Sequence, residues 1–180
     1  MALPENTGAN RHRMDSDISD YSATDGDDFE ALSRDEYLVR SMRADDLDDL
    51  IRIDTKLTGH NRRDYFQAKL KEVMVETGVR VSLVCEIDDR PAGYIMARVD
   101  FGEFGRTETT AVIDTLGVDP GYAHKGVAHA LMSQLMINLN ALHVERIRTT
   151  VAWNNHQLLD FLGHQGFRPA QQLALRKIIK

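Results

Sequence analysis

The sequence contains one cysteine, Cys85, which excludes an intramolecular disulfide and argues against a zinc site built from several cysteines. No apolar run approaches the roughly 18 residues that a membrane-spanning helix needs. The N-terminus lacks the charged and then apolar pattern of a secretory signal. These absences predict a cytoplasmic protein that has no membrane partner.

Several common ligand-binding patterns are also missing. The spaced glycines of a dinucleotide fingerprint are absent, and so is the Walker-type Gly-Lys-Ser/Thr. His60, His143 and His164 do not have the spacing of metal ligands. We therefore expect no metal cofactor and no Rossmann-type or P-loop nucleotide site.

The charge is unevenly distributed along the 180 residues. The net charge is −6, but residues 1–36 hold ten carboxylates against three arginines, a net of −7. The remainder carries a net of +1, so it lacks the basic footprint of a nucleic-acid-binding protein. The acidity therefore belongs to the N-terminal segment, and no nucleic-acid partner is expected.

The chain divides into two parts. Residues 1–36 are rich in Asp, Ser, Gly and Thr without a sustained helical or strand period, which predicts a disordered acidic tail. Residues 37–180 have the apolar content and regular punctuation of one folded domain. A short turn of helix within the tail, at residues 29–32, is also consistent with the pattern.

Within the folded part, the hydrophobic pattern predicts a mixed α/β fold. Apolar residues occupy every second position at Val79, Val81, Leu83, Cys85 and Ile87, as in a half-buried strand that a turn at 88–93 joins to the next strand. The predicted strands are 37–42, 79–87, 94–99, 109–118, 146–151 and 173–179, and the predicted helices begin near 45 and cover 62–76, about 122–142 and 156–164. This order favours one sheet packed between helices.

The segment from Val112 to Met132 is the most informative. An apolar strand ends at Val118, and a turn containing Lys125 and Gly126 leads directly into an amphipathic helix. The first N–H groups of a helix have no intrahelical acceptor and lie at the positive end of the helix dipole, so they can bind an anion. A glycine there lets a phosphate approach the backbone. Tight packing alone also explains Gly126, so this feature does not by itself establish a phosphate site.

Three pieces of sequence together resemble the GCN5-related N-acetyltransferase (GNAT) superfamily. They are Leu116-Gly117-Val118-Asp119-Pro120, the turn at residues 124–128, and Asn155 followed by Gly166-Phe167. They occur in the family's order and at about its spacing, and the resemblance covers residues 37–180. It implies a mixed, mostly antiparallel sheet that splays open at its centre, between the strand ending at Val118 and the strand at 146–151. It also implies that acetyl-CoA lies in that opening.

The resemblance assigns residues to the cofactor position by position. The residues expected to contact acetyl-CoA are Leu116, Gly117, Val118, His124, Lys125, Gly126, Val127, Ala128, His129 and Asn155. Leu116 and Val118 would offer backbone groups to the pantetheine arm, and amides in 124–129 would hold the diphosphate. This chain has Ala123 where the family's signature opens with Gln or Arg. We expect weaker or differently shaped binding as a result.

Acetyl transfer to an amine needs a base for the amine, a donor for the oxyanion and a proton for the departing thiolate. Asp114 is the candidate base, because resembling enzymes often place a Glu two residues before the Leu of Leu-x-Val. Its short side chain favours action through a water molecule. A purely structural hydrogen bond is the competing interpretation. Leu162 stands where the family often has a catalytic Tyr, so no general acid is assigned.

The resemblance implies an acetyl-CoA-dependent N-acetyltransferase that acts on a primary amine, either a small molecule or a protein. It also makes a homodimer an open expectation, by analogy alone. A second hypothesis is a module of the same fold that binds an acyl-CoA or a protein partner with little turnover. A third, an unrelated nucleotide-phosphate binder, would bind ATP or GTP without preferring CoA.

Overall fold

The computed structural model describes residues 37–72, 81–100, 108–171 and 175–179. Its strands are β1 (Leu38–Ser41), β2 (Leu83–Ile87), β3 (Arg90–Asp100), β4 (Thr110–Val118) and β5 (Arg146–Thr149). Its helices are α1 (Leu47–Thr58), α2 (Arg63–Lys71), α3 (Val127–Ala141) and α4 (His156–His164), with single 3-10 turns at Ala44–Asp46 and Pro120–Tyr122. The five strands form one sheet in the order β1-β2-β3-β4-β5.

The sheet is mixed and lies between two layers of helix. Neighbouring strands are antiparallel from β1 to β4, and β5 is parallel to β4. One face packs on the apolar stripe of α3, which includes Leu131 and Leu135, and the other packs on α1 and α2 through Leu50 and Phe66. The predicted fold class, a mostly antiparallel mixed sheet packed between helices, is confirmed.

A bulge in β4 changes which of its residues face α3. Met96 pairs with Thr115 and Ala97 pairs with Ile113, so Asp114 is an extra residue without a partner on β3. Ala111 and Ile113 belong to the α3-side core before the bulge, whereas Leu116 and Val118 pack against it afterwards. The inserted residue therefore shifts the alternation of the strand by one.

The sheet opens immediately beyond this bulge. β4 and β5 pair from Thr110–Arg146 to Ile113–Thr149, and the Thr149 hydroxyl donates to the Ile113 carbonyl at 3.1 Å. No described strand pairs with β4 on this side from Asp114 to Val118. The expected splay between β4 and β5 is confirmed, and the bulge that bends β4 accounts for its position.

Most predicted elements are present, and several have shorter ends. The strand predicted at 94–99 is longer, because β3 begins at Arg90, within the predicted turn, and ends at Asp100. The predicted strand at 173–179 is wrong for residues 175–179, which have no regular structure, and residues 173–174 lie outside the described part. The predicted tail, 1–36, and the final turn of the predicted helix, 73–76, also lie outside it. In the described ranges, no helix has the length and apolar character needed to cross a bilayer.

Candidate active site

A cleft of about 960 Å³ follows the opening between β4 and β5 and continues over the N-terminal end of α3. It has three sides. The end of β4 and the turn after it form one side, α4 forms the second, and α1 with Arg62 forms the third. Its lining includes Leu116, Val118, His124, Gly126, Val127, Ala128, His129, Asn155, Phe161 and Gln165, together with Asp54, Leu57, Thr58, Arg62, Tyr94 and Thr115.

The backbone of β4 presents polar groups to this cleft at alternate residues. The Asp119 N–H donates to the Ala92 carbonyl at 2.8 Å, which makes Val118 and Gly93 a non-hydrogen-bonded pair of the ladder. The N–H and C=O of Val118 therefore point away from β3, and regular alternation gives those of Leu116 the same direction. Because β5 has already diverged, these groups face the opening rather than another strand.

The turn between β4 and α3 is fixed by the buried carboxylate of Asp119. It accepts hydrogen bonds from the Gly121 N–H at 3.0 Å, from Arg52 at 2.5 Å and from Lys56 at 2.7 Å. Burial alone would raise the pKa of Asp119, but the hydrogen bonds from Lys56, Gly121 and Arg52 outweigh it. The pKa therefore lies below its ordinary value, and the turn is tied to α1.

The next residues bring several amides to the cleft. His124 has φ of +60° and Gly126 has φ of +83°, both in the left-handed region that favours glycine. The first intrahelical bond runs from the Ala130 N–H to the Gly126 carbonyl at 2.9 Å. The N–H groups of Gly126, Val127 and Ala128 therefore precede the helical ladder, at the positive end of α3. This arrangement suits a phosphate or diphosphate.

Two of the expected cofactor residues lie outside the cleft lining. A Cβ on Gly117 would lie 2.7 Å from Cε1 and Cζ of Tyr94, so this glycine faces the Tyr94 ring. The Lys125 ammonium lies 5.2 Å from the centre of the Tyr122 ring. The backbone carbonyl of Lys125 accepts a hydrogen bond from the Tyr37 hydroxyl. The structure brings the other eight to the cleft: Leu116, Val118, His124, Gly126, Val127, Ala128, His129 and Asn155.

Side chains at the far wall connect α3 to α4. The ring Nδ1 of His129 lies 3.0 Å from the side-chain nitrogen of Gln165. Asn155 caps α4, because its side-chain oxygen accepts from the Leu158 N–H at 3.2 Å. Its amide nitrogen is left to donate toward a ligand. Leu162 is buried in the α3-side core, in agreement with its exclusion as a general acid.

Asp114 lies at the bulge, where β5 leaves β4, but it does not line the cleft. Oδ1 of its carboxylate accepts a hydrogen bond from Arg98, and Oδ2 lies 3.4 Å from the Lys69 ammonium. Both oxygens are therefore occupied by cations. These contacts link β4 to β3 and α2. They therefore support the competing interpretation, in which Asp114 makes structural hydrogen bonds.

On the wall opposite α4, the pairing of Asp54 with Arg62 was not foreseen from the sequence. Asp54 is buried on α1, and both of its oxygens accept hydrogen bonds from Arg62, one of them at 2.8 Å. The Arg62 guanidinium also lies 5.2 Å from the centre of the Tyr65 ring. Hydrogen bonding to Asp54 raises the pKa of Arg62. The wall thus offers a fixed ion pair with no net charge.

Tyr94 and Thr115 complete this wall with hydroxyl groups. Burial, and then the negative charge of Asp54, raise the pKa of Tyr94, so its hydroxyl stays protonated across the ordinary assay range. In the sequence, the only sign that Asp54 has a special role is its place at the end of the apolar stripe of α1, where an apolar residue would be expected. Its partner Arg62 lies beyond a helix break, where periodicity gives no information.

We expect the Asp119→Asn substitution to lower the free energy of unfolding by about 1–2 kcal/mol at pH 7, because it removes a charged acceptor from Arg52 and Lys56. The folded pKa of Asp119 is depressed, so its contribution is present above the unfolded pKa of about 3.9 and is lost as the pH falls through the folded value. Urea denaturation between pH 7 and pH 3.5 measures the difference.

Asp49→Asn is the matched control, because Asp49 pairs with the same Arg52 at an exposed site. We expect a change within about 0.5 kcal/mol at every pH. Equal losses for the two variants at pH 7 would contradict the role assigned to Asp119.

Among residues 37–72, 81–100, 108–171 and 175–179, no group of three or more His, Cys, Asp or Glu side chains could hold a metal ion. The chain has instead the amide-lined, splayed-sheet cleft described above. A family model described as the acetyltransferase (GNAT) family matches residues 36–167. A comparison with curated proteins finds no match.

Solved structures share the fold at low identity. The aminoglycoside N-acetyltransferase AAC(6')-Iy in complex with CoA is 14% identical, covers 79% of this chain and 94% of that one, and has a TM-score of 0.67. The same enzyme with a bisubstrate analogue, CoA-S-monomethyl-acetylneamine, is 14% identical, with 80% and 99% covered and a TM-score of 0.67. A possible acetyltransferase from Clostridium difficile 630 is 18% identical, with 80% and 99% covered and a TM-score of 0.65.

Proposed function

Because this chain belongs to the GNAT family of acetyltransferases and is an acyltransferase, we propose that it transfers an acetyl group from acetyl-CoA directly to a primary amine. The acceptor is a small molecule or an amine on a protein or peptide. One observation carries the proposal. The backbone edge of β4 at Leu116 and Val118, which no described strand covers, leads directly to the amides that precede α3.

The residues of the cleft fit acetyl-CoA. The amides of Gly126, Val127 and Ala128 would hold the diphosphate, since they combine unpaired donors with the helix dipole. The backbone groups of Leu116 and Val118 would bind the pantetheine arm as a further strand binds a sheet edge. Asn155 would donate its amide from the α4 side. Acetyl-CoA would supply an acetyl group activated as a thioester.

The transfer itself then needs an oxyanion donor, a base and a proton for the thiolate. The Val118 N–H, which faces the opening, would stabilise negative charge on the carbonyl oxygen as the carbon–nitrogen bond forms and the carbon–sulfur bond breaks. A base would remove a proton from the amine, and the thiolate would take a proton from the amine or from water. The protonated hydroxyl of Tyr94 belongs to the acceptor side of the cleft.

We keep Asp114 as the proposed base, acting through water, because it is the bulge residue at the mouth of the opening. We expect Asp114→Asn to lower kcat by roughly 100-fold or more, with little change in the KM for acetyl-CoA. Steady-state release of free thiol, with a saturating amine, measures both constants.

Arg98→Gln is the control for this substitution. It breaks the Arg98–Asp114 ion pair from the other side and leaves the carboxylate in place. If Asp114 is the general base, kcat should fall far more in Asp114→Asn than in Arg98→Gln. Similar losses in the two variants would show that Asp114 acts only by tying the strands together.

The first test of the proposed function is binding and turnover by the parent protein. We expect calorimetry to detect CoA binding, and thiol release from acetyl-CoA to depend on an added amine. The panel comprises simple monoamines, lysine-containing peptides and the aminoglycoside neamine, the last because a similar enzyme has been solved with an acetylneamine analogue. Absence of CoA binding at millimolar concentration would contradict the proposal.

Two observations favour the alternative, a CoA-binding module with little turnover. Both oxygens of Asp114 contact cations, and Leu162 is buried where the family often has a Tyr. Tight CoA binding without amine-dependent thiol release across the panel would support the module. Affinity for ATP equal to that for CoA would instead indicate a general nucleotide-phosphate site.

A further inference from the structure

Tyr37 lies just before β1, 88 residues away in sequence from the turn that leads into α3, yet it contacts that turn directly. Its hydroxyl donates a hydrogen bond to the Lys125 carbonyl. Its ring lies behind the turn, since a Cβ built on Gly126 would be 3.6 Å from Cε2 of Tyr37. Tyr37 itself does not line the cleft, whereas Gly126 does.

The geometry of a peptide unit turns this contact into an effect on the cleft. A peptide bond is planar and trans, so the N–H of Gly126 points opposite to the C=O of Lys125. The carbonyl points toward Tyr37, behind the turn. The amide of Gly126 is therefore directed away from Tyr37 and toward the cleft.

The turn needs such a restraint. His124 has a positive φ of +60°, a conformation that costs energy in a residue other than glycine and persists only with support from its surroundings. The Lys125 N–H makes only a long hydrogen bond, 3.4 Å, to the Tyr122 carbonyl. The hydroxyl of Tyr37 supplies a fixed partner for the same residue's carbonyl, from a different element of the fold.

We propose that Tyr37 is a positioning residue for the coenzyme's diphosphate, acting through the Lys125 carbonyl to direct the Gly126 amide at it. The proposal rests on the proposed function, because it assumes that a diphosphate occupies this end of the cleft. It predicts a selective effect. Loss of the hydroxyl weakens binding of the part of the coenzyme that carries the diphosphate and leaves the pantetheine side unchanged.

The test compares the parent with Tyr37→Phe, which keeps the ring behind Gly126 and removes the hydroxyl that donates to the Lys125 carbonyl. We expect the KM for acetyl-CoA and the Kd for CoA to rise roughly fivefold to tenfold, with kcat unchanged. With S-acetylpantetheine, which has no diphosphate, kcat/KM should be equal in the two proteins. Tyr65→Phe removes a hydroxyl on α2 and should leave CoA affinity within twofold of the parent.

Each other outcome has a defined meaning. If Tyr37→Phe binds CoA as tightly as the parent, the positioning role is wrong while the proposed function stands. The same conclusion follows if kcat/KM falls by the same factor with acetyl-CoA and with S-acetylpantetheine. If the parent itself binds no CoA, the proposed function has failed. A thermal unfolding midpoint equal to that of the parent confirms that a change in KM is local.

Discussion

Gly126→Glu is expected to lower the affinity for CoA by at least about 100-fold, the largest effect on binding that the structure predicts. The new side chain would start beside the Tyr37 ring, and its carboxylate would stay within one side-chain length of the amides of Val127 and Ala128. The carboxylate would accept hydrogen bonds from those amides and would repel the diphosphate. Because juxtaposed like charges cost several kcal/mol, the loss of affinity should be large. Calorimetric titration with CoA measures the loss.

Gly59→Glu is the matched control, because it separates backbone strain from charge. Gly59 ends α1 with φ of +74°, close to the +83° of Gly126, and lies outside the cleft lining. Both substitutions should lower the free energy of unfolding by about 1–2 kcal/mol, the cost of a side chain in the left-handed region. CoA affinity should fall only in Gly126→Glu. Wild-type affinity in that variant would refute the diphosphate site.

Gly117→Ala is expected to destabilise the fold more than any of the other substitutions, with a loss of about 2–3 kcal/mol in the free energy of unfolding. A Cβ at this position would lie 2.7 Å from two ring atoms of Tyr94. Movement of the ring is restricted, because Tyr94 is only 1% exposed and packs edge-on against Phe66. Urea denaturation of the parent and the variant measures the difference.

Gly163→Ala provides a control of opposite sign. Gly163 lies within α4, and a Cβ there would meet nothing within 4 Å. Alanine should therefore raise the free energy of unfolding by roughly 0.5–1 kcal/mol, through its higher helix propensity. A Gly117→Ala protein as stable as the parent would show that the ring of Tyr94 can yield.

The sequence patterns that predicted the fold are the hydrophobic periodicities within single strands and helices. The strand predicted as half-buried is wrong in that respect, because Val84 of β2 is fully buried in the core on the face opposite α3. The alternation through Leu83, Cys85 and Ile87 marks the face of β2 in the α3-side core, and the apolar stripe of α3 reflects a helix on the sheet. Both follow from burial of neighbouring residues along one element. The splay of the sheet came from the family resemblance, not from periodicity.

The features that sequence could not predict depend on contacts between distant elements. The bulge at Asp114 is a register shift, and no residue type marks it in the sequence. Arg98 and Lys69, which occupy the Asp114 carboxylate, come from β3 and α2. Tyr37 contacts Lys125 although 88 residues separate the two in sequence. The residues proposed to contact the cofactor were assigned by the family resemblance, and all but Asn155 lie in the segment 116–129.

The burial of Cys85 in β2 has a practical consequence for assays of thiol release. Its side chain is fully buried, and burial, followed by the negative charge of Glu86, raises the pKa of the thiol to about 12. The only cysteine of the native protein should therefore be silent toward a chromogenic disulfide reagent, which needs a thiolate. The colour would then measure the free thiol of the CoA product, with almost no background from the protein. In denaturant, the same reagent would measure the Cys85 thiol that unfolding exposes.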